Sequence, residues 1–220
     1  MKRLPEPESM DGCDEAKAYE QADFAEVNQA FADRTIELAW HLKRAKGADL
    51  GTGPADIPMR LVRARPDWRV VAVDAAAAML ALAREHLSTE MAAGSIDLVL
   101  ADAKKLPFAD NSFDFVVSNS IIHHLDQPED LWSEVKRIAR SGAVIFFRDL
   151  SRPDSPDAAA QIVERYSAEE SDLLKKLFFD SLLASYTPAE VGRQLASVGL
   201  TGVTVTMSTD RHWDVVGQVS

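Results

Sequence analysis

The sequence predicts an α/β fold: a doubly wound, seven-stranded, mainly parallel sheet with an antiparallel last strand. Three observations predict it. Short apolar runs alternate with helical stretches along most of the 220 residues, the pattern of parallel strands joined by crossover helices. The first run, residues 48–51, enters the glycine turn Gly51-Thr52-Gly53 and leaves it into a helical pattern. The second, residues 69–73, ends in Asp74, which brings a carboxylate to a strand tip. Glycines let backbone approach a ligand closely, and a carboxylate so placed can accept hydrogen bonds from a ribose diol. This is the first half of a nucleoside-binding α/β domain.

The elements follow in order. Residues 1–14 are polar, with Pro5 and Pro7, and read as a disordered leader. Residues 15–46 become helical through Tyr19, Phe24, Val27 and Phe31, then Ile36, Leu38, Ala39 and Leu42, with a break near Asp33. Gly47 is placed to end the second of these helices. A helix over 54–64 opens on Pro54, and an alanine-rich helix spans 75–87. Strands three and four are expected at Ile96–Leu100 and 113–118. Asp126 with Glu129 three residues on spells a capping-box variant before a helix whose buried stripe is Leu131, Val135 and Ile138. Strand five, 143–147, is a short apolar run suited to burial on both faces. A helical insert covers 157–184, and Thr187 with Glu190 forms a second capping box for a helix that stops at Gly199. The segments Val203–Met207 and 213–216 close the sheet, and the short loop between them requires antiparallel pairing.

Composition narrows the function. A net charge of −11 argues against a phosphate-backbone partner, so no nucleic acid is expected. The single cysteine, Cys13, excludes an internal disulfide and a cysteine metal cluster, and the visible motifs require no metal. No stretch approaches membrane-spanning length and the N-terminus carries no apolar leader, so a cytoplasmic protein without membrane contact is expected. The sequence specifies no oligomeric state.

The glycine turn also selects its nucleoside. A dinucleotide fingerprint requires a third glycine where this chain has Asp56, and a carboxylate there repels phosphate. A nucleoside without phosphates fits better. The runs D-L-G-T-G-P-A-D at 49–56, V-A-V-D at 71–74, L-A-D-A at 100–103 and F-D-F-V-V-S-N-S at 113–120 resemble the class I S-adenosylmethionine (SAM)-dependent methyltransferases, in the same order and at similar spacing. The resemblance covers roughly residues 35–150. It implies a Rossmann-like fold, SAM as methyl donor and S-adenosylhomocysteine as product. It divides the chain into an N-terminal helical extension or cap, 1–46, and a SAM-binding domain, 47–220, whose insert at about 157–184 forms a lid. Ala55 departs from the family, which usually has glycine there; alanine requires φ < 0, so the position is expected to lie already in the helix's first turn.

In open α/β sheets ligands sit beyond the carboxyl ends of the strands. The strand ends give Asp49, Gly51, Thr52, Gly53, Asp74, Ala75, Asp102, Ala103 and Asn119 as cofactor-binding candidates; the resemblance places Asp49 near the methionine moiety, Asp74 at the ribose hydroxyls, Asp102 at the adenine amino group, and Asn119 at the cofactor's amino-acid end. Each has a plainer role available: Asp74 can cap the following helix, Asp102 can close a turn, and Met79 can be core. Asn119 lacks the two prolines and the aromatic that mark nucleic-acid amino methyltransferases. On the acceptor side the catalytic candidates are His123, Arg148 and Asp149. His123 and His124 are neighbours, so one is expected to face the pocket and one to turn away; imidazole suits general-base work near neutral pH, and packing histidine is the alternative. Arg148-Asp149 can clamp an acceptor or form an internal ion pair. All three candidates are expected to border one cavity. The reading is a methyltransferase for a small-molecule acceptor. Its alternatives are non-methyl SAM chemistry on the same fold, such as a cyclase, and a non-catalytic SAM-binding protein.

Overall fold

A computed structural model describes residues 1–6, 24–87, 90 and 93–219; Tyr19 and Cys13 lie outside them. Seven strands form one sheet: β1 (Ala45–Leu50), β2 (Trp68–Asp74), β3 (Ile96–Leu100), β4 (Phe113–Asn119), β5 (Ala139–Leu150), β6 (Val203–Met207) and β7 (His212–Gln218). Their order is β3-β2-β1-β4-β5-β7-β6. The pairs β1–β2, β1–β4, β2–β3 and β4–β5 are parallel, and β7 runs antiparallel to both β5 and β6. The doubly wound sheet with its reversed last strand is therefore as the sequence predicts. The strand order reverses direction between β1 and β4, which opens a crevice at their carboxyl ends.

Seven α-helices are described: α1 (Ala25–Leu38), α2 (Asp56–Ala64), α3 (Ala77–His86), α4 (Pro128–Ile138), α5 (Pro156–Ser167), α6 (Asp172–Ala184) and α7 (Pro188–Ser197). Period-two alternation in the strands builds two cores, one on each sheet face. Leu50, Val116, Ile145, Phe147 and Trp213 pack with Leu131, Trp132 and Val135 of α4 and Leu195 of α7. Val70, Phe115, Val117 and Phe146 pack with Phe31 of α1 and Leu61 of α2 on the other face. Helices α5 and α6 share a smaller core of Leu150, Ala159, Val163 and Leu182.

The N-terminal region corrects several expectations. Helix α1 runs unbroken through Asp33 and ends at Leu38, and its Phe31 ring stacks on Phe146 at 4.4 Å, so this helix belongs to the main core. Gly47 is no helix terminator; it lies inside β1, where an added Cβ would sit 2.0 Å from the Phe115 ring. The strand needs glycine there because the aromatic ring of β4 occupies the side-chain position. Residues 1–6 are no free leader either. Leu4 N donates to Leu183 O (3.0 Å), and the Arg3 guanidinium donates to Ala184 O, His123 O and Leu125 O while resting on the Tyr186 ring.

Of the two expected capping boxes, Thr187–Glu190 forms, with side-chain and backbone bonds in both directions. The one at Asp126 does not. Helix α4 starts at Pro128 behind an N-cap Gln127 that makes no side-chain cap, and Asp126 takes the Arg3 guanidinium at 3.0 Å instead.

Candidate active site

The loop after β1 is held from both sides. Gly51 N and Thr52 N donate to Val73 O, and Gly53 N donates to the Asp74 carboxylate at 2.8 Å. Gly51 and Gly53 have φ of 70° and 57°, a region that costs other residues steric strain. At Gly51 a Cβ would also meet the Ile121 side chain at 2.9 Å. Ala55 likewise adopts φ 60°, as the buried N-cap of α2. The expectation of a negative φ there is wrong. The turn keeps the left-handed shape that glycine takes easily, and the buried alanine methyl joins the core under α2.

Asp49 is buried at the end of β1 and accepts from Thr52 Oγ1 at 2.6 Å. Burial pushes its carboxyl up to about 7, the Thr52 hydroxyl pulls it down, and the neighbouring Asp74 charge adds to the rise. Asp74 itself, mostly buried, is raised by that burial against its backbone donors at Ala76, Gly53 and Ala75. Its Oδ1 accepts from Ala76 N at 2.8 Å, but helix α3 starts at Ala77 and has no side-chain cap, so capping does not explain Asp74. Asp102 is exposed and accepts from Lys104 N at 2.8 Å. Ala75 is exposed beside Asp74, whereas Ala103 is buried in the core on the α4 side of the sheet. Met79 is buried against Ala76, Ala78 and Leu82.

A narrow cleft opens at the crevice, lined by Asn28, Asp49, Gly51, Thr52, Pro54, Asp56, Ile57 and Asn119. The lining has two carboxylates and no lysine or arginine. Asp56 is fixed by Asn28 Nδ2 (3.0 Å) and Arg60 Nε (2.8 Å). Asn28 and Ile57 carry no signal in the sequence; α1 and the first turn of α2 bring them here.

The three acceptor-side candidates do not converge. Asp149 ends β5 with no solvent exposure, and its Oδ2 accepts from Ile122 N (2.6 Å) and His123 N (3.2 Å). Its Oδ1 meets His123 Nδ1 at 2.5 Å and accepts from Leu150 N at 2.6 Å. Burial raises the Asp149 carboxyl, but His123 outweighs it and the net shift is downward. In the same way burial lowers His123, and Asp149 reverses the sign so that the imidazole is raised. Arg148 points to the other sheet face, where Nε and Nη2 form a two-pronged pair with Asp214 at 2.7 Å each. Neighbouring residues of one strand face opposite sides, so Arg148 and Asp149 cannot border the same cavity.

The histidine pair also departs from expectation. Residues 122–124 form a 3₁₀ turn, and the rings of His123 and His124 lie 4.1 Å apart instead of diverging. Both reach Glu6: His123 Nε2 at 3.4 Å and His124 Nδ1 at 2.9 Å from its Oε1. A leader residue 117 positions away has no detectable link to His123 in the sequence.

Comparison with known proteins agrees with this architecture. Residues 48–147 match the family model described as a methyltransferase domain. A ubiquinone/menaquinone biosynthesis C-methyltransferase of Ectopseudomonas mendocina is 30% identical over 144 residues, 65% of this chain and 56% of that protein. The chain thus spans about half the length of the curated relatives it matches. A SAM-dependent methyltransferase structure from Aquifex aeolicus superposes with a TM-score of 0.68 at 18% identity, covering 93% of this chain and 98% of that one. A phosphoethanolamine N-methyltransferase of Haemonchus contortus, in complex with S-adenosylhomocysteine, gives 0.71 at 16%, covering 94% and 57%. At such identities the two structures speak for the fold alone. With the glycine turn and the strand-tip carboxylates already placed, residues 48–147 are similar to the methyltransferase domain family, and the chain shares the fold of the SAM-dependent methyltransferase structures.

Proposed function

We propose that this protein transfers the methyl group of SAM to a small-molecule acceptor. The acid-lined cleft with no cationic side chain carries the reading. A buried carboxyl raised to about 7 is poised to ionise against a cation, and SAM presents an ammonium and a sulfonium. Phosphates would meet the Asp49 and Asp56 carboxylates in a lining that offers no lysine or arginine side chain, which disfavours a nicotinamide dinucleotide.

When bound, SAM supplies an electrophilic methyl carbon. Asp49, Gly51, Thr52, Gly53 and Asn119 are proposed to hold its amino-acid end, Asp74 and Ala75 the ribose, and Asp102 with the backbone of Ala103 the adenine. Asp74 orients the glycine turn through Gly53 N as well. Catalysis then rests mainly on positioning. His123, oriented by Asp149, is the base candidate for an acceptor that must lose a proton; Arg148 has no part in this scheme. Helices α5 and α6, with their own core, are proposed as the lid that excludes water. The C-methyltransferase relative supports a small-molecule acceptor, the net charge of −11 disfavours nucleic acid, and among the described residues no helix is long and apolar enough to cross a membrane. The single cysteine supports a cytoplasmic setting.

Calorimetric titration with SAM, S-adenosylhomocysteine and NADH tests the reading. SAM and S-adenosylhomocysteine are expected to bind and raise the melting temperature by mass action. No heat with SAM and a clear isotherm with NADH would overturn it.

A further inference from the structure

We propose that Glu6, His123 and His124 form a site for one divalent transition-metal ion of the zinc class, bound through the Glu6 carboxylate, His123 Nε2 and His124 Nδ1. None of the three lines the cofactor cleft, and the site does not rest on the methyl-transfer reading; an ion on His123 Nε2 would exclude His123 as the base for the acceptor, since Asp149 holds the other ring nitrogen.

Geometry is the first support. The three donor atoms lie within 4.8 Å of one another. Zinc–nitrogen and zinc–oxygen bonds of about 2.0–2.2 Å at tetrahedral angles separate two ligand atoms by roughly 3.4 Å. His123 Nε2 and Glu6 Oε1 stand 3.4 Å apart. His124 Nδ1 and Glu6 Oε1, at 2.9 Å, require an angle near 90° at the metal or a small outward shift. Two histidines and one glutamate are a donor set that takes zinc and leaves a fourth position for water or another ligand.

The second support is what the donors do without a metal. His124 Nδ1 is buried and has no hydrogen-bonding partner, although a carboxylate oxygen lies 2.9 Å away. Distance permits a bond; direction does not. Two ligands sharing a metal show this relation, because each lone pair points at the ion and misses the other ligand by roughly 40°.

The surroundings supply the third. His123 Nδ1 is taken by Asp149 at 2.5 Å, which leaves Nε2 as the free donor facing Glu6. A carboxylate behind a histidine fixes its tautomer and raises its basicity, the usual outer support of a ligating imidazole. The ion would also fasten residues 1–6 to the turn after β4, a linkage Arg3 already makes through His123 O.

The test is zinc and cobalt titration of the metal-stripped full chain at pH 7.5. One equivalent of Zn²⁺ is expected to bind with micromolar or tighter affinity and to raise the melting temperature. Co²⁺ is expected to give visible absorption bands of a four-coordinate site. Glu6→Gln and His124→Ala should each weaken Zn²⁺ binding at least tenfold and abolish the bands. His41→Ala, which removes an exposed histidine elsewhere, should change neither. Melting of each stripped variant checks that it is folded. No stoichiometric Zn²⁺ binding by the wild type, or unchanged affinity in the folded Glu6 and His124 variants, would overturn the proposal and leave the cluster as an ion pair.

Discussion

Replacing Asp49 by asparagine isolates the cost of the buried carboxylate. Burial raises its pKa from an ordinary 3.8 to about 7. Between those values the folded chain keeps a proton that the unfolded chain has released. The contribution of Asp49 to stability is therefore full below about pH 4, declines as pH rises, and is lost by about pH 7. The interval corresponds to about 4 kcal/mol at 1.36 kcal/mol per pH step, an upper bound because local relaxation and water entry reduce it. Asparagine keeps an oxygen that can accept from Thr52 Oγ1 and carries no charge. Urea unfolding of both proteins at pH 5, 6, 7 and 8 gives the difference directly, with titrations common to both cancelling. The variant is expected to gain on the wild type by at least about 1 kcal/mol, and at most about 2.7, between pH 5 and 8, because the penalty stops growing above the folded value near 7. A difference constant within about 0.5 kcal/mol across that range would show that Asp49 is ionised in the fold throughout and would refute the argument.

Three further outcomes are expected. Asp74→Ala should weaken SAM binding by about 1.5–3 kcal/mol, measured calorimetrically; normal SAM affinity would remove Asp74 from the site. Gly51→Ala should cost roughly 2–4 kcal/mol by combining a left-handed φ with the Ile121 contact, and adding Ile121→Ala should relieve only the steric share; complete recovery in urea unfolding would show that φ is not strained. Arg148→Ala should lower stability by about 3 kcal/mol, because nearly buried Asp214 loses its counter-charge and keeps only the Ser208 hydroxyl among the described residues, while SAM affinity stays unchanged; a selective loss of SAM binding would place Arg148 back in the site.

Much of the fold was legible because each of its signals is local. Apolar runs gave the strands, the glycine turn gave the crevice, and Thr187 with Glu190 gave a true cap. The places of Asp49 and Asp74 at or next to the ends of β1 and β2 also followed from the local pattern. What was not legible depends on contacts between distant segments. Gly47 looks like a helix stop because the Phe115 ring that fills its side-chain space is 68 residues away. The Glu6–histidine contact is invisible for the same reason. The histidines were expected to diverge on a rule for regular helices and strands, and the 3₁₀ turn is too short for it to apply. The separation of Arg148 from Asp149 could have been read: both sit in one strand, and the period of two assigns them opposite faces.

The position of β7 bears on how the chain is completed. Strand β6 is made before β7, yet among the described residues it pairs in the sheet only with β7, which joins it to β5. During synthesis, which proceeds at about 5–20 residues per second, β6 emerges with no neighbour to receive it, and the outer edge of β5 stays open until residues 212–218 arrive. An open edge of that kind invites pairing with another nascent chain. On this order the sheet can close at β5 only after β7 is made, and mutations that slow β6–β7 pairing are expected to reduce yield on expression more than they reduce the stability of the finished protein.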